Sequence, residues 1–102
     1  MNTLTIETKN IKAQNVVVTD DTITVDLDDG RTISAPLAWY PRLLYGSHEE
    51  RNNWRFIGDN DGIHWNDLDE DISVENLLSG KPSGESQRSL RKWLDKRSEY
   101  EK

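Results

Sequence analysis

The stretch that decides the fold is TITVDLDDGRTISAP, residues 22–36. Ile23, Val25 and Leu27 alternate with Thr24 and Asp26, the period-two pattern of a strand with one face on a core. The Asp29-Gly30 pair before RTISAPL suits the positive φ values of a tight hairpin turn. The alternation requires Ile23, Val25, Leu27 and Ile33 to share one buried face, because a one-residue slip would turn every side chain over. Just upstream, NVVVT (15–19) is rich in β-branched residues and supplies another strand. Three antiparallel strands in a meander follow. Residues 1–13, with Leu4, Ile6 and Ile11 among polar neighbours, read as an extended arm or an edge strand.

Downstream, Pro36 ends the third strand because it has no N–H for a ladder, and Pro41 fits the first turn of a helix spanning Trp39 to Tyr45. Ser47 followed three residues later by Glu50 has the form of a capping box, which predicts a helical turn over His48 to Asn53. WRFIG (54–58) and GIHW (62–65) flank a turn-forming Asp59-Asn60-Asp61-Gly62 and read as a second hairpin. Ser73 can cap a helix carrying Leu77 and Leu78, with Gly80 in the left-handed position beyond its end. KPSGES (81–86) is a linker by composition. After it Leu90, Trp93, Leu94 and Tyr100 form an apolar stripe at helical spacing, with Arg88, Arg91, Lys92 and Lys96 elsewhere on the helix. The expected architecture is α+β: a small antiparallel or mixed sheet built as three-strand meander, helix, two strands and helix. It divides into a compact domain over 1–80 with its arm at 1–13, then a linker and C-terminal amphipathic helix over 81–102.

With 102 residues, 33% hydrophobic and 31% charged, the core is small and depends on a few large side chains. Trp54 and Phe56 are expected inside it, while Trp39, Tyr40 and Trp65 adjoin polar or turn residues and divide between core and contact roles. The absence of cysteine excludes a disulfide scaffold, a thiolate zinc site and a cysteine nucleophile. The N-terminus lacks the pattern of a signal peptide and no run approaches 18 apolar residues, so a cytoplasmic protein without membrane segments is expected.

The net charge of −6 is unevenly placed. Six Lys and Arg against fifteen Asp and Glu leave −9 through Gly80, whereas seven against four leave +3 from Lys81 onward. An acidic body repels nucleic acid and steers basic proteins toward it.

Motifs for catalysis are scarce. A calcium loop centred on Gly62 would place Ile57 and Leu68 at ligand positions, and neither can coordinate a cation. His64 with Asp67 and Asp69 is a weak metal set, so no metal or cofactor is expected. His48 and His64 read as surface and structural side chains. No nucleophile elbow, phosphate-binding glycine loop or H-E-x-x-H pair is present, and no catalytic residue is assigned.

GRTISAPLAWYPRLL and NWRFIGDNDGIHWNDLDEDISVENLLSG closely resemble a bacterial family known as a domain of unknown function, number 2442. The resemblance runs from about Asp28 to Gly80. It implies a three-strand, helix, two-strand, helix domain and no established enzyme activity. Some relatives carry a helix-turn-helix domain after this one, and many look to be encoded beside a second small protein in suspected toxin–antitoxin pairs. This chain departs at Asn66, where relatives often have proline, and at the C-terminus, where one helix stands in place of a DNA-binding domain.

The expected function is a non-enzymatic, protein-binding regulator, the antitoxin-like member of a two-protein system with a basic partner encoded nearby. Its contact residues are expected to be Trp39, Tyr40, His64, Trp65, Asp67, Asp69, Glu70 and Asp71. The first alternative is nucleic-acid binding through Arg88, Arg91, Lys92 and Lys96, which the −9 body disfavours. An unrecognised hydrolase or metal enzyme is the second, and a homodimer is compatible with any of these.

Overall fold

The computed structural model describes residues 11–100, with side chains through Ser98. Leu4 and Ile6 of the arm, and the Tyr100 side chain, lie outside the described residues. Two antiparallel sheets of three strands each, both in sequential order, make up the α+β body. In the first, β1 (Ala13–Val18), β2 (Thr22–Leu27) and β3 (Thr32–Pro36) form the expected meander, and β1 begins inside the segment read as an arm.

Val25 pairs with Ile33 across β2 and β3, so both side chains share the core face. The turn itself differs from the Asp-Gly expectation. Leu27 N donates to Arg31 O and Gly30 N donates to Leu27 O, making Asp28-Asp29-Gly30 a three-residue loop. Gly30 alone in it has a positive φ, 95°. This is the turn-plus-left-handed-residue form of hairpin. A two-residue loop at Asp29-Gly30 would have set Val25 opposite Ser34 and turned Ile33 outward.

Leu37–Trp39 makes a 3-10 turn, followed by α1 (Pro41–Tyr45) and α2 (His48–Asn52). Ser47 and Glu50 form the capping box from both sides. Arg51, only 8% exposed, returns to the end of α1. Its Nε donates to Leu43 O at 2.9 Å and its Nη2 to Leu44 O at 2.8 Å. Leu43 O also accepts from Gly46 N at 3.2 Å, and the guanidinium fork reaches both carbonyls at the end of this short helix at once.

The second sheet contains β4 (Trp54–Ile57), β5 (Gly62–Trp65) and β6 (Glu70–Ser73). The strand β6 is additional to the two that the sequence reading gives. The β4–β5 loop joins the sheets: Ala13 N donates to Asn60 O at 2.8 Å, and Asn60 itself has a φ of 60°. Because β5 is the central strand, its Ile63 and Trp65 are fully buried. Trp54 and Phe56 lie on edge strand β4 and are half-buried, their rings edge to face at 5.0 Å. The pair expected inside the core packs against it from this edge, and Trp65 and Tyr40 are the aromatic residues buried within it.

α3 (Val74–Ser79) is capped by Ser73, whose hydroxyl accepts from Asn76 N, and ends at Gly80 with φ 74°. α4 (Gln87–Tyr100) folds back onto the body of its own chain. Leu90 is buried, and Trp93 packs against the core between the guanidinium groups of Arg42 and Arg97, 5.0 and 4.6 Å from its ring centre. No helix among the described residues is long and apolar enough to cross a membrane.

Candidate functional site

Alternation along β6 sorts three consecutive acids into different environments. Glu70 pairs with Trp65 and Ile72 with Ile63, so both point to the core face, while Asp71 pairs with His64 on the opposite one. Asp69, just before the strand, has a φ of 50° and an exposed carboxylate. Glu70 is therefore an inward-facing acid flanked by outward-facing ones.

Tyr40, 3% exposed, lies between the 3-10 turn and α1. Tyr40 and Glu70, together with Asp71, Ile72, Asn76 and the linker residues Lys81 to Gly84, line a cavity of about 170 Å³. The linker is fixed over it: Ser83 N donates to Trp39 O at 2.9 Å and Lys81 N to Asn76 O at 2.9 Å. Tyr40 Oη and Glu70 Oε2 are the two buried side-chain polar atoms that have no hydrogen-bond partner among the described residues. Such groups are rare in folded proteins and each costs about 1–3 kcal/mol. Burial, and then the charge of Glu70, push the Tyr40 hydroxyl above its ordinary pKa. Burial likewise raises the Glu70 carboxyl, against the opposing effects of the Asp71 N–H and of Arg42.

Arg42 borders this site and is fully engaged. Its Nε and Nη2 hold Glu85, the latter at 2.6 Å from Oε2, and its Nη1 donates to Leu68 O at 3.2 Å. Asp69 lies 4.0 Å from the same guanidinium. Glu85 is held below the usual carboxylate range, chiefly by Arg42.

The eight expected contact residues thus separate. Glu70, Asp71 and Tyr40 meet at the cavity, with Asp69 near Arg42 at its border. Trp65 is fully buried, its Nε1 bound to Arg51 O, so it supports the fold and offers no surface. Tyr40 is also corrected from a surface contact to a core residue that a ligand could meet only through the cavity. Trp39 packs partly against the core. His64 Nδ1 pairs with Asp71 Oδ1, and Asp67 accepts from Asn53 Nδ2 at 2.9 Å on the side of α2. The described residues hold no group of three or more potential metal ligands.

Arg88, Arg91, Lys92 and Lys96 are exposed on α4, and among the described residues no hydrogen bond or ion pair engages their side chains. Sequence reasoning missed Arg42, Arg51, Glu85 and Arg97. Their ion pairs span long separations, 43 positions from Arg42 to Glu85, 31 from Asp20 to Arg51 and 47 from Glu50 to Arg97, which no local pattern encodes.

A crystal structure of a protein of unknown function from Rhodospirillum rubrum is similar to this chain, with 24% identity, 76% of this chain and 95% of that chain covered, and a TM-score of 0.64. That likeness is one of fold. No curated protein matches this chain. The model of the DUF2442 family, proteins of unknown function, matches residues 13–83, and the chain belongs to that family.

Proposed function

We propose that this domain is a non-enzymatic module that binds a basic protein, acting as the antitoxin-like member of a two-protein system. The observation that carries this reading is the convergence of Tyr40, the Glu70–Asp71 pair and Lys81–Gly84 on one cavity, with exposed carboxylates beside it. Three distant parts of the chain contribute to it, and two of its residues carry buried polar atoms with no partner among the described residues. The −9 charge of residues 1–80 supports a basic partner, because long-range attraction raises the encounter rate and exposed rim charges then fix orientation.

Co-expression with the product of the neighbouring gene tests the reading. A stable complex is expected, whose association slows severalfold and loses salt dependence when Asp69 and Asp71 are both changed to Asn. Asparagine retains tolerance of the left-handed backbone at 69 and a hydrogen-bonding partner for His64 at 71. Failure to form a complex, or indifference to both substitutions, would contradict the proposal.

One observation favours nucleic acid as a second reading. Arg88, Arg91, Lys92 and Lys96 are exposed cations along about 12 Å of α4, a spacing able to follow phosphates.

A further inference from the structure

Tyr40 and Glu70 both line this cavity, and Tyr40 Oη and Glu70 Oε2 are buried with no hydrogen-bond partner among the described residues. A cavity of about 170 Å³ has room for more than a single water, whose share of liquid volume is about 30 Å³. An occupant that satisfies both must donate a hydrogen bond to the Glu70 carboxylate, while the Tyr40 hydroxyl can accept from it or donate to it. Its charge is set by the surroundings. Asp69, Glu70, Asp71 and Glu85 are arrayed against Arg42 and Lys81, an excess of negative charge. Arg42 is already committed to Glu85 and Leu68 O, so it does not supply the missing donor.

We infer that this cavity is a subsite for a primary ammonium group, the end of a lysine-type side chain presented by the basic partner. An ammonium is a compact charge with three freely oriented donors, suited to two oxygens in a narrow space, whereas a guanidinium is planar and wider. The inserted charge neutralises Glu70 in the place where its desolvation is most costly. Entry displaces the short Lys81–Gly84 wall, which Ser83 N and Lys81 N tether to the body. Identification of the partner as the source of the ammonium rests on the proposed function; the ammonium preference of the cavity does not.

The test is an amide-shift NMR titration of the whole chain with Nα-acetyl-lysine methylamide, alongside the neutral norleucine analogue and acetate. The lysine probe should give saturable shifts at Tyr40, Glu70, Asn76 and Ser83 with a Kd below about 10 mM. The shifts should vanish in Glu70→Gln and weaken in Tyr40→Phe, with both variants checked for folding by their remaining spectra. Equal responses to the neutral probe, a response to acetate alone, or no saturation with any probe would each overturn the ammonium subsite. If Lys81→Gln gains affinity for the probe, Lys81 competes for the same position, which supports the chemistry assigned to the cavity. A neighbouring-gene product that binds Glu70→Gln as tightly as the unchanged chain would overturn the partner's lysine as the occupant while leaving the protein-binding reading intact.

Discussion

Trp65 Nε1 donates to the Arg51 carbonyl oxygen at 2.9 Å, while the Arg51 side chain holds Leu43 O and Leu44 O. Two short helices and the central strand of the second sheet are thereby joined through one residue. Trp65→Phe should cost about 2–3 kcal/mol in denaturant melts, from the lost ring volume and from the unpaired Arg51 carbonyl. Arg51→Met, which fills similar space but takes the side-chain donor from Leu44 O and leaves Leu43 O with only the Gly46 N–H, should cost a similar amount. Losses under about 0.5 kcal/mol for both would show that the junction contributes little.

The first sheet was legible because its side chains alternate cleanly, and the capping pairs Ser47–Glu50 and Ser73–Asn76 because they are local. The strand β6 was not, since LDEDIS carries three acids around one isoleucine and reads as a solvated turn. Once β6 is recognised, its period of two separates inward Glu70 from outward Asp71, so the missed strand also concealed the cavity. Tyr40 and Trp65 stayed divided between core and contact roles because Tyr40 adjoins the turn-forming Pro41 and Trp65 lies between the polar His64 and Asn66. The strand and the turn that hold them bury both rings. The pairings of Arg42 with Glu85 and Arg97 with Glu50 depend on where α4 docks, which composition does not specify.

The docking of α4 rests on Trp93. Trp93→Ala removes the ring between Arg42 and Arg97 and should cost about 2 kcal/mol, through lost burial and two cation–π contacts. Hydrogen exchange across residues 87–98 should then approach that of a free peptide, because a helix of this length is marginal alone. Retained protection would show that α4 is held elsewhere.

Glu50 and Glu85 are both held below their ordinary carboxylate value of 4.5, chiefly by hydrogen bonds from Arg97 and Arg42 respectively. A depressed folded-state pKa contributes stability that is present above the unfolded value and disappears as pH falls through the folded one. Glu85→Gln should therefore lower stability at pH 7 and flatten the decline below about pH 4.5. An acid limb as steep as that of the unchanged chain would contradict the assignment.

Tyr40→Phe deletes a buried hydroxyl that has no partner among the described residues. Its effect on stability should lie within about 0.5 kcal/mol of zero or be favourable, since no bond among the described residues is lost. A loss above about 1 kcal/mol in chemical melts would show that the hydroxyl serves the fold.

Glu70 has the opposite sign to Glu85. Burial raises its folded-state pKa, so as pH rises from the unfolded value through the folded one the carboxylate increasingly destabilises the free domain. Glu70→Gln replaces that charge with a neutral amide that is less costly to bury. The account holds that Glu70 is maintained for a ligand at the expense of stability, so one variant measured twice tests it most directly. At pH 7, Glu70→Gln should unfold at a higher denaturant midpoint than the unchanged chain while losing the saturable response to the lysine probe. A lower midpoint together with an unchanged probe response would contradict the account.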